Sequence, residues 1–370
     1  MAARYAIVSA LYAPHVGGVE TFTENVAHEL VREGDEAVVI TSQLSEANPT
    51  HAVQDDGVEV WRLPCRPLMA GRLPIPLHNR AFRHLEDEIA RGRFDGMLVN
   101  TRFYGMSLEG LRLARRMRVP AVVLDHGASW ITLGNPLADA VLQVYERMMT
   151  ARTRAYRPTF AGISKVSVAW LETFGIKTDV VIPNAIDAEA FRASASDRDY
   201  RTELGIAADQ RLIAFVGRLE PEKGPDVFAR ALGEMGEPYV GVLAGEGSLR
   251  PQLEAMDLKN VHLVGNVSHQ DVSALYAQAD ALCLPTSSEG FGLGILEAAS
   301  WGVPIAMPAV GVAEEVLGDS YVRIEPPFTD LDSKIVQAVE LDASATRENV
   351  ERNWNWEASA KALKAAFRQD

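Results

Sequence analysis

Short apolar runs alternate with stretches of helical spacing along this chain, and the alternation restarts once. Tyr5 to Ala10 is an apolar run that ends at Tyr12-Ala-Pro-His-Val-Gly17-Gly18, and from Val19 to Val31 the residues Phe22, Val26 and Leu30 share one helical face. The segment reads strand, glycine loop, helix. Further strands are predicted at Ala37 to Thr41, Val58 to Leu63, Gly96 to Asn100 and Ala121 to Asp125, with helices around Ala81 to Ala90 and Leu108 to Met117. A strand at Thr159 to Ser164, a helix from Lys165 to Phe174 and a strand at Asp179 to Ile182 complete the first series, which halts at Pro183-Asn-Ala-Ile-Asp187. Alternation of this kind predicts an α/β fold with a parallel, doubly wound sheet.

Ala193 to Tyr200 is polar and without apolar period, so an exposed connection and the domain boundary are expected near it. The rhythm then resumes with strands at Leu212 to Gly217, Tyr239 to Ala244, Val261 to Leu263 and Ala281 to Leu284. Helices are predicted at Gly224 to Met235, Leu249 to Met256 and Gln270 to Gln278. A second Rossmann-like domain accounts for this, and 370 residues exceed what one hydrophobic core usually serves. Ligands of open α/β sheets bind beyond the carboxyl ends of the strands, so the cleft between two such domains is the expected site.

Composition narrows the class. With 47% hydrophobic and 23% charged residues the chain is of ordinary soluble globular type. Its two cysteines, Cys65 and Cys283, are far apart and in no metal-ligand spacing, so reduced thiols are expected and no metal site. No run of about 18 apolar residues occurs, which excludes a spanning helix but not a protein lying on a membrane surface. Met1 to Ala13 lacks the layout of a secretory signal, and a cytoplasmic location is expected. The net charge is −14; residues 1–187 carry 20 basic and 21 acidic side chains, the remainder 16 and 29. That balance argues against a nucleic-acid partner. Arg112, Arg115, Arg116 and Arg118 gather in the first half; they read as a solvated helix face, with an anionic acceptor or a lipid surface as the alternative.

Three segments carry chemistry. Gly17-Gly18 lies between a strand and its helix, where a backbone can approach a phosphate and a helix N-terminus supplies N–H donors; a tight turn would need the same glycines. In Gly217-Arg218-Leu-Glu-Pro-Glu-Lys223-Gly224 two cations sit in a loop after a strand. They suit a leaving diphosphate, although a surface pair with Glu220 or Glu222 is the plainer alternative. Pro285-Thr-Ser-Ser-Glu289-Gly290-Phe291-Gly292-Leu293-Gly294-Ile-Leu-Glu297 follows a strand and opens a helix. Its amides can meet phosphate or sugar oxygens, and its two carboxylates can accept from hydroxyls.

That last segment, with Glu289 and Glu297 separated by seven residues, resembles the Glu, seven residues, Glu signature of retaining glycosyltransferases of the GT-B fold, family GT4. The resemblance extends to Gly17-Gly18-Val-Glu20, Asp125-His126-Gly127, Ile182-Pro183-Asn184, Ala244-Gly245-Glu246-Gly247, Gly302-Val303-Pro304 and the Trp356-containing C-terminal helix. It implies two Rossmann-like domains facing an interdomain cleft. Residues 1–187 would bind the acceptor and 188–355 the nucleotide-sugar, with a helix at about 356–370 returning to the first domain. The resemblance assigns the catalytic roles to His126, Arg218, Lys223 and Glu289. It assigns donor binding to Gly17, Gly18, Arg218, Lys223, Gly290, Phe291, Gly292, Leu293 and Glu297. Within these, Arg218 and Lys223 would hold the diphosphate, Gly18 a phosphate oxygen, Glu297 the ribose, and Glu289 with the Phe291 and Gly292 amides the donor sugar. His126 would contact the sugar rather than act as a general base.

The implied reaction moves a hexosyl group from a UDP- or GDP-sugar to a hydroxyl acceptor by a front-face, retaining route, with no metal and no cofactor. A small metabolite, a lipid-linked saccharide or a phospholipid could serve as acceptor, and the loops Leu63 to His78 and Ser129 to Ala140 are expected to choose it. Peripheral membrane contact through the N-terminal domain stays open. Ala185 departs from the Gly that related chains commonly carry there. The rival reading is a nucleotide-sugar epimerase or hydrolase of the same architecture, which would turn over donor without an acceptor. A nicotinamide oxidoreductase is disfavoured because the first strand does not lead into Gly-x-Gly-x-x-Gly.

Overall fold

The computed structural model describes residues 2–132 and 134–368. The chain divides into two compact units, one of Met1–Asn184 with Trp356–Asp370 and one of Ala185–Asn355. In the first unit β1 (Arg4–Val8), β2 (Glu36–Gln43), β3 (His51–Val53), β4 (Glu59–Leu68), β5 (Leu73–Pro76), β6 (Gly96–Asn100), β7 (Ala121–Asp125) and β8 (Thr159–Gly162) form one sheet. Helices α1 (Gly18–Arg32), α2 (Arg80–Ala90), α3 (Gly105–Met117) and α4 (Pro136–Arg154) lie between them, and α5 (Lys165–Leu171) follows β8. The strand order is β3-β4-β2-β1-β6-β7-β8, parallel except where β3 and β5 run antiparallel to β4. Winding therefore reverses between β1 and β6. Both strands are apolar because helices cover both faces of the sheet, and every residue of β6 is buried.

The second unit opens with α6 (Ala188–Ala193) and α7 (Tyr200–Leu204), then alternates β9 (Arg211–Val216), α8 (Pro225–Met235), β10 (Tyr239–Ala244), α9 (Arg250–Glu254), β11 (Val261–Gly265), α10 (His269–Gln278) and β12 (Ala281–Cys283). It continues through α11 (Leu293–Trp301), β13 (Ile305–Met307), α12 (Ala313–Leu317), β14 (Val322–Arg323), α13 (Leu331–Val339) and α14 (Ser344–Asn353). Its all-parallel sheet runs β11-β10-β9-β12-β13-β14, the doubly wound order whose reversal falls between β9 and β12. The last helix, α15 (Trp356–Ala366), belongs to the first unit. Trp356 meets Phe22 of α1 with ring centroids 5.8 Å apart, and Phe367 stacks on Tyr5 at 5.5 Å. Gly96 makes room for this: a Cβ there would stand 2.5 Å from the Phe367 ring.

Several expectations are corrected. Asp179 to Ile182 is no strand; the only ladder contact is one bridge between Gly162 and Val181, because β8 ends at Gly162 and the Ser164 cap turns the chain into α5. That helix stops at Leu171, and the next three residues form a 3₁₀ turn closed by Gly175 in the left-handed region. The segment Ser129 to Ala140 is only partly loop, since Asn135 caps α4 and Pro136 occupies its first turn, which begins a 19-residue helix. The polar stretch Ala193 to Tyr200 lies inside the second unit rather than at its edge: Ser196 bonds Asp271, and Tyr200 is fully buried with its hydroxyl donating to the Asp271 carbonyl. Ala185 stays out of the left-handed region, so alanine brings no backbone strain there.

A buried ion cluster marks the first core. Arg102, 1% exposed, donates to Asp125 at 2.6 Å and to Glu146 at 2.8 Å, and its guanidinium lies 3.9 Å over the Phe174 ring. Burial pushes both carboxyl groups above their ordinary range, and Arg102 pulls them back. Arg102→Ala is expected to destabilise the protein by about 3–5 kcal/mol, since it strands two buried carboxylates. With Arg102 gone, only backbone N–H groups of Gly127, His126 and Ile131 oppose the upward shift and the folded state favours protonated acids more than the parent does, so the deficit must grow as pH rises. Denaturant titrations of variant and parent at pH 5 and pH 8 check this; a deficit larger at pH 5 would contradict it.

Candidate active site

At the reversal of the second sheet, two loops face each other, one after β9 and one after β12. Ser287 N–H donates to the Glu222 carbonyl at 2.8 Å and the Ser287 hydroxyl at 3.1 Å, which zips the loops together, while the Thr286 hydroxyl donates to the Ser288 carbonyl at 2.9 Å. The join is close. Gly224 sits at φ +68° with the Pro285 carbonyl 2.3 Å from where a Cβ would be, so only glycine fits. Lys223 Nζ donates across the join to Glu289 Oε1 at 2.6 Å and to the Ser288 carbonyl at 3.1 Å. Arg218 is largely exposed and pairs with Glu222 at 2.8 Å. Neither α8, which starts after Gly224, nor α11, which starts after Gly292 at φ +98°, has a side-chain cap. Pro225 gives α8 no N–H at its first position and the Ile295 N–H of α11 already bonds the Gly292 carbonyl, so the N–H groups open to an anion are those of Asp226 and Val227 in α8 and of Leu293 and Gly294 in α11. Glu297, on α11, accepts from His269 Nε2 at 3.0 Å, and that bond raises the His269 pKa.

In the first unit the reversal between β1 and β6 holds a cavity of about 220 Å³ lined by Glu20, Asn100, Thr101, Arg102, Asp125, His126 and Glu146 among others. Gly17 precedes α1 without a side-chain cap, and Gly18 has open space where a Cβ would be. Glu20 is buried on the first turn, 3.4 Å from His15. His126 follows β7 directly, edge-on to Phe22 at 5.0 Å. A relay fixes its proton. The Thr23 hydroxyl donates to the Val19 carbonyl at 2.7 Å, so its oxygen accepts from Asn100 Nδ2 at 2.8 Å. Asn100 must then present Oδ1 to His126 Nε2, 2.9 Å away, which makes Nε2 the protonated nitrogen and Nδ1 the acceptor. Part of the ring faces the cavity, yet the protein packed around it disfavours the cation and pushes its pKa down to about 3.

Residues 16–190 match the family described as Glycosyltransferase Family 4, and residues 196–361 match Glycosyl transferases group 1. The chain belongs to glycosyltransferase family 4. This glycosyltransferase is similar to the D-inositol 3-phosphate glycosyltransferase of Kineococcus radiotolerans, 26% identical over 330 residues, with 80% of this chain and 73% of that protein covered. Among solved structures, sucrose-phosphate synthase from Thermosynechococcus elongatus shares the GT-B fold at a TM-score of 0.70 and 17% identity, over 99% of this chain and 98% of that one. Anabaena Alr3699/HepE, solved in complex with UDP, does so at 0.70 and 17%, over 99% of each. These matches do not favour an epimerase or hydrolase.

Within the glycosyltransferase, the second unit brings together Arg218, Lys223, Glu289, Gly290, Phe291, Gly292 and Leu293 on two adjoining loops, with Glu297 one turn further along α11. Gly17, Gly18 and His126 gather in the first unit at its own strand reversal. Asn100, Thr101, Arg102 and Glu146 went unread in the sequence. Asn100-Thr-Arg102 could have been noticed as a polar run at the carboxyl end of an apolar strand. Glu146 gives no such signal, being one glutamate within a long amphipathic helix. The relay predicts that His126 shows the Nε2–H tautomer in nitrogen NMR and does not titrate between pH 5 and pH 8. Asn100→Asp places a carboxylate beside Nε2 and should bring the titration up into that window. A parent His126 that titrates near pH 6.5 would contradict the assignment.

Proposed function

We propose that this glycosyltransferase moves a hexosyl group from a UDP- or GDP-sugar to a hydroxyl acceptor, with retained anomeric configuration and without a metal. The observation that carries the reading is the Lys223–Glu289 pair between two loops whose following helices both present uncapped N–H groups. In the transfer, the bond from the anomeric carbon to the diphosphate oxygen breaks and negative charge grows on the departing group. Arg218, Lys223 and the amides from Phe291 to Leu293 are disposed to receive that charge. Glu289, released as Lys223 turns to phosphate, accepts from a hydroxyl of the donor sugar, and Glu297 accepts from the ribose. Gly18 lets a phosphate oxygen approach the α1 N-terminus. In a front-face displacement the acceptor oxygen bonds the anomeric carbon on the face the diphosphate leaves, and the acceptor proton passes to a departing phosphate oxygen. UDP is the nucleotide to test first, because Anabaena HepE was solved with UDP and with UDP-glucose.

A thermal-shift panel of UDP, GDP, ADP and their sugar conjugates should show selective stabilisation, roughly 2.7 kcal/mol at 100 times the dissociation constant. No response to any of them would overturn the reading. Arg218→Ala with Lys223→Ala should leave the fold intact and cut turnover by about 10²-fold or more; undiminished transfer would remove the diphosphate assignment. Glu289→Gln should lower kcat while leaving nucleotide affinity near the parent's. Turnover that survives exhaustive EDTA treatment is the expected result for metal independence, and loss restored by a divalent cation would refute it.

A further inference from the structure

The cavity of the first unit has a charge balance that speaks to the acceptor. Its ionisable lining is three carboxylates, Glu20, Asp125 and Glu146, against a single cation, Arg102. The charge of that cation is already met: its Nη1 and Nη2 donate to Asp125 and Glu146 and the Phe174 ring covers one of its faces, leaving only the buried Nε–H without a partner. The imidazole of His126 adds no charge at neutral pH. Next to the cluster, Thr101 is 4% exposed, holds a left-handed backbone at φ +66° that a β-branched residue avoids, and carries a hydroxyl without a hydrogen-bond partner. Phe103 and Tyr104 line the same cavity with adjacent rings, centroids 4.8 Å apart.

We infer that this cavity is an acceptor subsite for an uncharged or amine-bearing polyol of monosaccharide size, and that it rejects phosphorylated acceptors. A ring hydroxyl can donate to Glu20 or bond the unpartnered Thr101 hydroxyl, and the apolar face of a sugar ring can lie on Phe103 and Tyr104. A phosphate would instead stand beside like charges with no free cation among the described lining residues to meet it. This sets the chain apart from its relatives named for an inositol phosphate acceptor. The inference takes the word acceptor from the proposed transfer reaction, but its charge rule is testable without turnover.

The experiment compares matched pairs on the full chain in saturating UDP, which keeps phosphates out of the Arg218–Lys223 loops: myo-inositol with its 3-phosphate, glucose with glucose 6-phosphate, and glucosamine. Binding is read by thermal shift in saturating UDP; transfer is read in separate reactions without added UDP, by UDP release from UDP-glucose. The neutral or amine members should bind or accept at least about a hundredfold better than the phosphates. In Glu20→Gln the discrimination should fall about tenfold. The inference is overturned if any phosphate equals its neutral counterpart, if no neutral or amine member binds or accepts, or if discrimination survives Glu20→Gln at full strength. The donor controls are separate: no shift with UDP alone and no UDP release from UDP-glucose with any acceptor would count against the donor reading and leave the charge comparison to be read in the Arg218→Ala, Lys223→Ala protein.

Discussion

Everything functional in this protein depends on one constraint of parallel sheets. Adjacent parallel strands require crossover connections, and where the crossovers change direction the loops on either side part and leave a crevice at the carboxyl ends. The chain meets the constraint twice, between β1 and β6 and between β9 and β12. At each reversal the sequence spends glycines and polar residues rather than apolar ones. Gly224 shows why: two loops that must touch across the reversal leave no volume for a Cβ against the Pro285 carbonyl.

The two crevices are electrically unlike. In the second unit, acidic overall, Arg218 and Lys223 are placed on loops where they pair with the side chains of Glu222 and Glu289. The Arg218–Glu222 pair is exposed and contributes little to stability, so replacing its carboxylate would cost little, whereas Lys223 and Glu289 are each only 17% exposed. In the first unit Arg102 is locked in a buried cluster whose disruption would strand two carboxylates. The same residue type is thus an available hand at one reversal and a fixed beam at the other, and burial makes the difference.

How much of this the sequence shows follows from the range of each interaction. Period and punctuation are local, so Gly96–Asn100, Ala121–Asp125 and Tyr239–Ala244 could be read with their ends correct. The loops bearing Arg218, Lys223 and Glu289 were legible for the same reason, being glycine-marked and next to strands. Asp179 to Ile182 misled because an apolar run cannot say whether a neighbouring strand is long enough to pair with it. Tyr200 misled because its burial comes from α10, some 70 positions later in the chain. The Arg102 cluster joins β7, α4 and the turn after β6, separated by 23 and 44 positions, and no spacing rule spans that.

The state of His126 bears on where the acceptor proton goes. A general base works best when its conjugate acid has a pKa near the operating pH, and an imidazole pushed down to about 3 is a poor base at neutrality. The relay from Val19 through Thr23 and Asn100 keeps Nε2 protonated and turns the other nitrogen into a hydrogen-bond acceptor, a form suited to holding a hydroxyl. Burial and relay therefore act in the same direction, towards orientation and away from proton abstraction. In the proposed reaction the departing diphosphate becomes more basic as its bond to the anomeric carbon lengthens, so the base arises when the proton must leave. A histidine held neutral in this way can orient a hydroxyl through Nδ1 without taking its proton, which leaves proton removal in the proposed reaction to the departing phosphate oxygen.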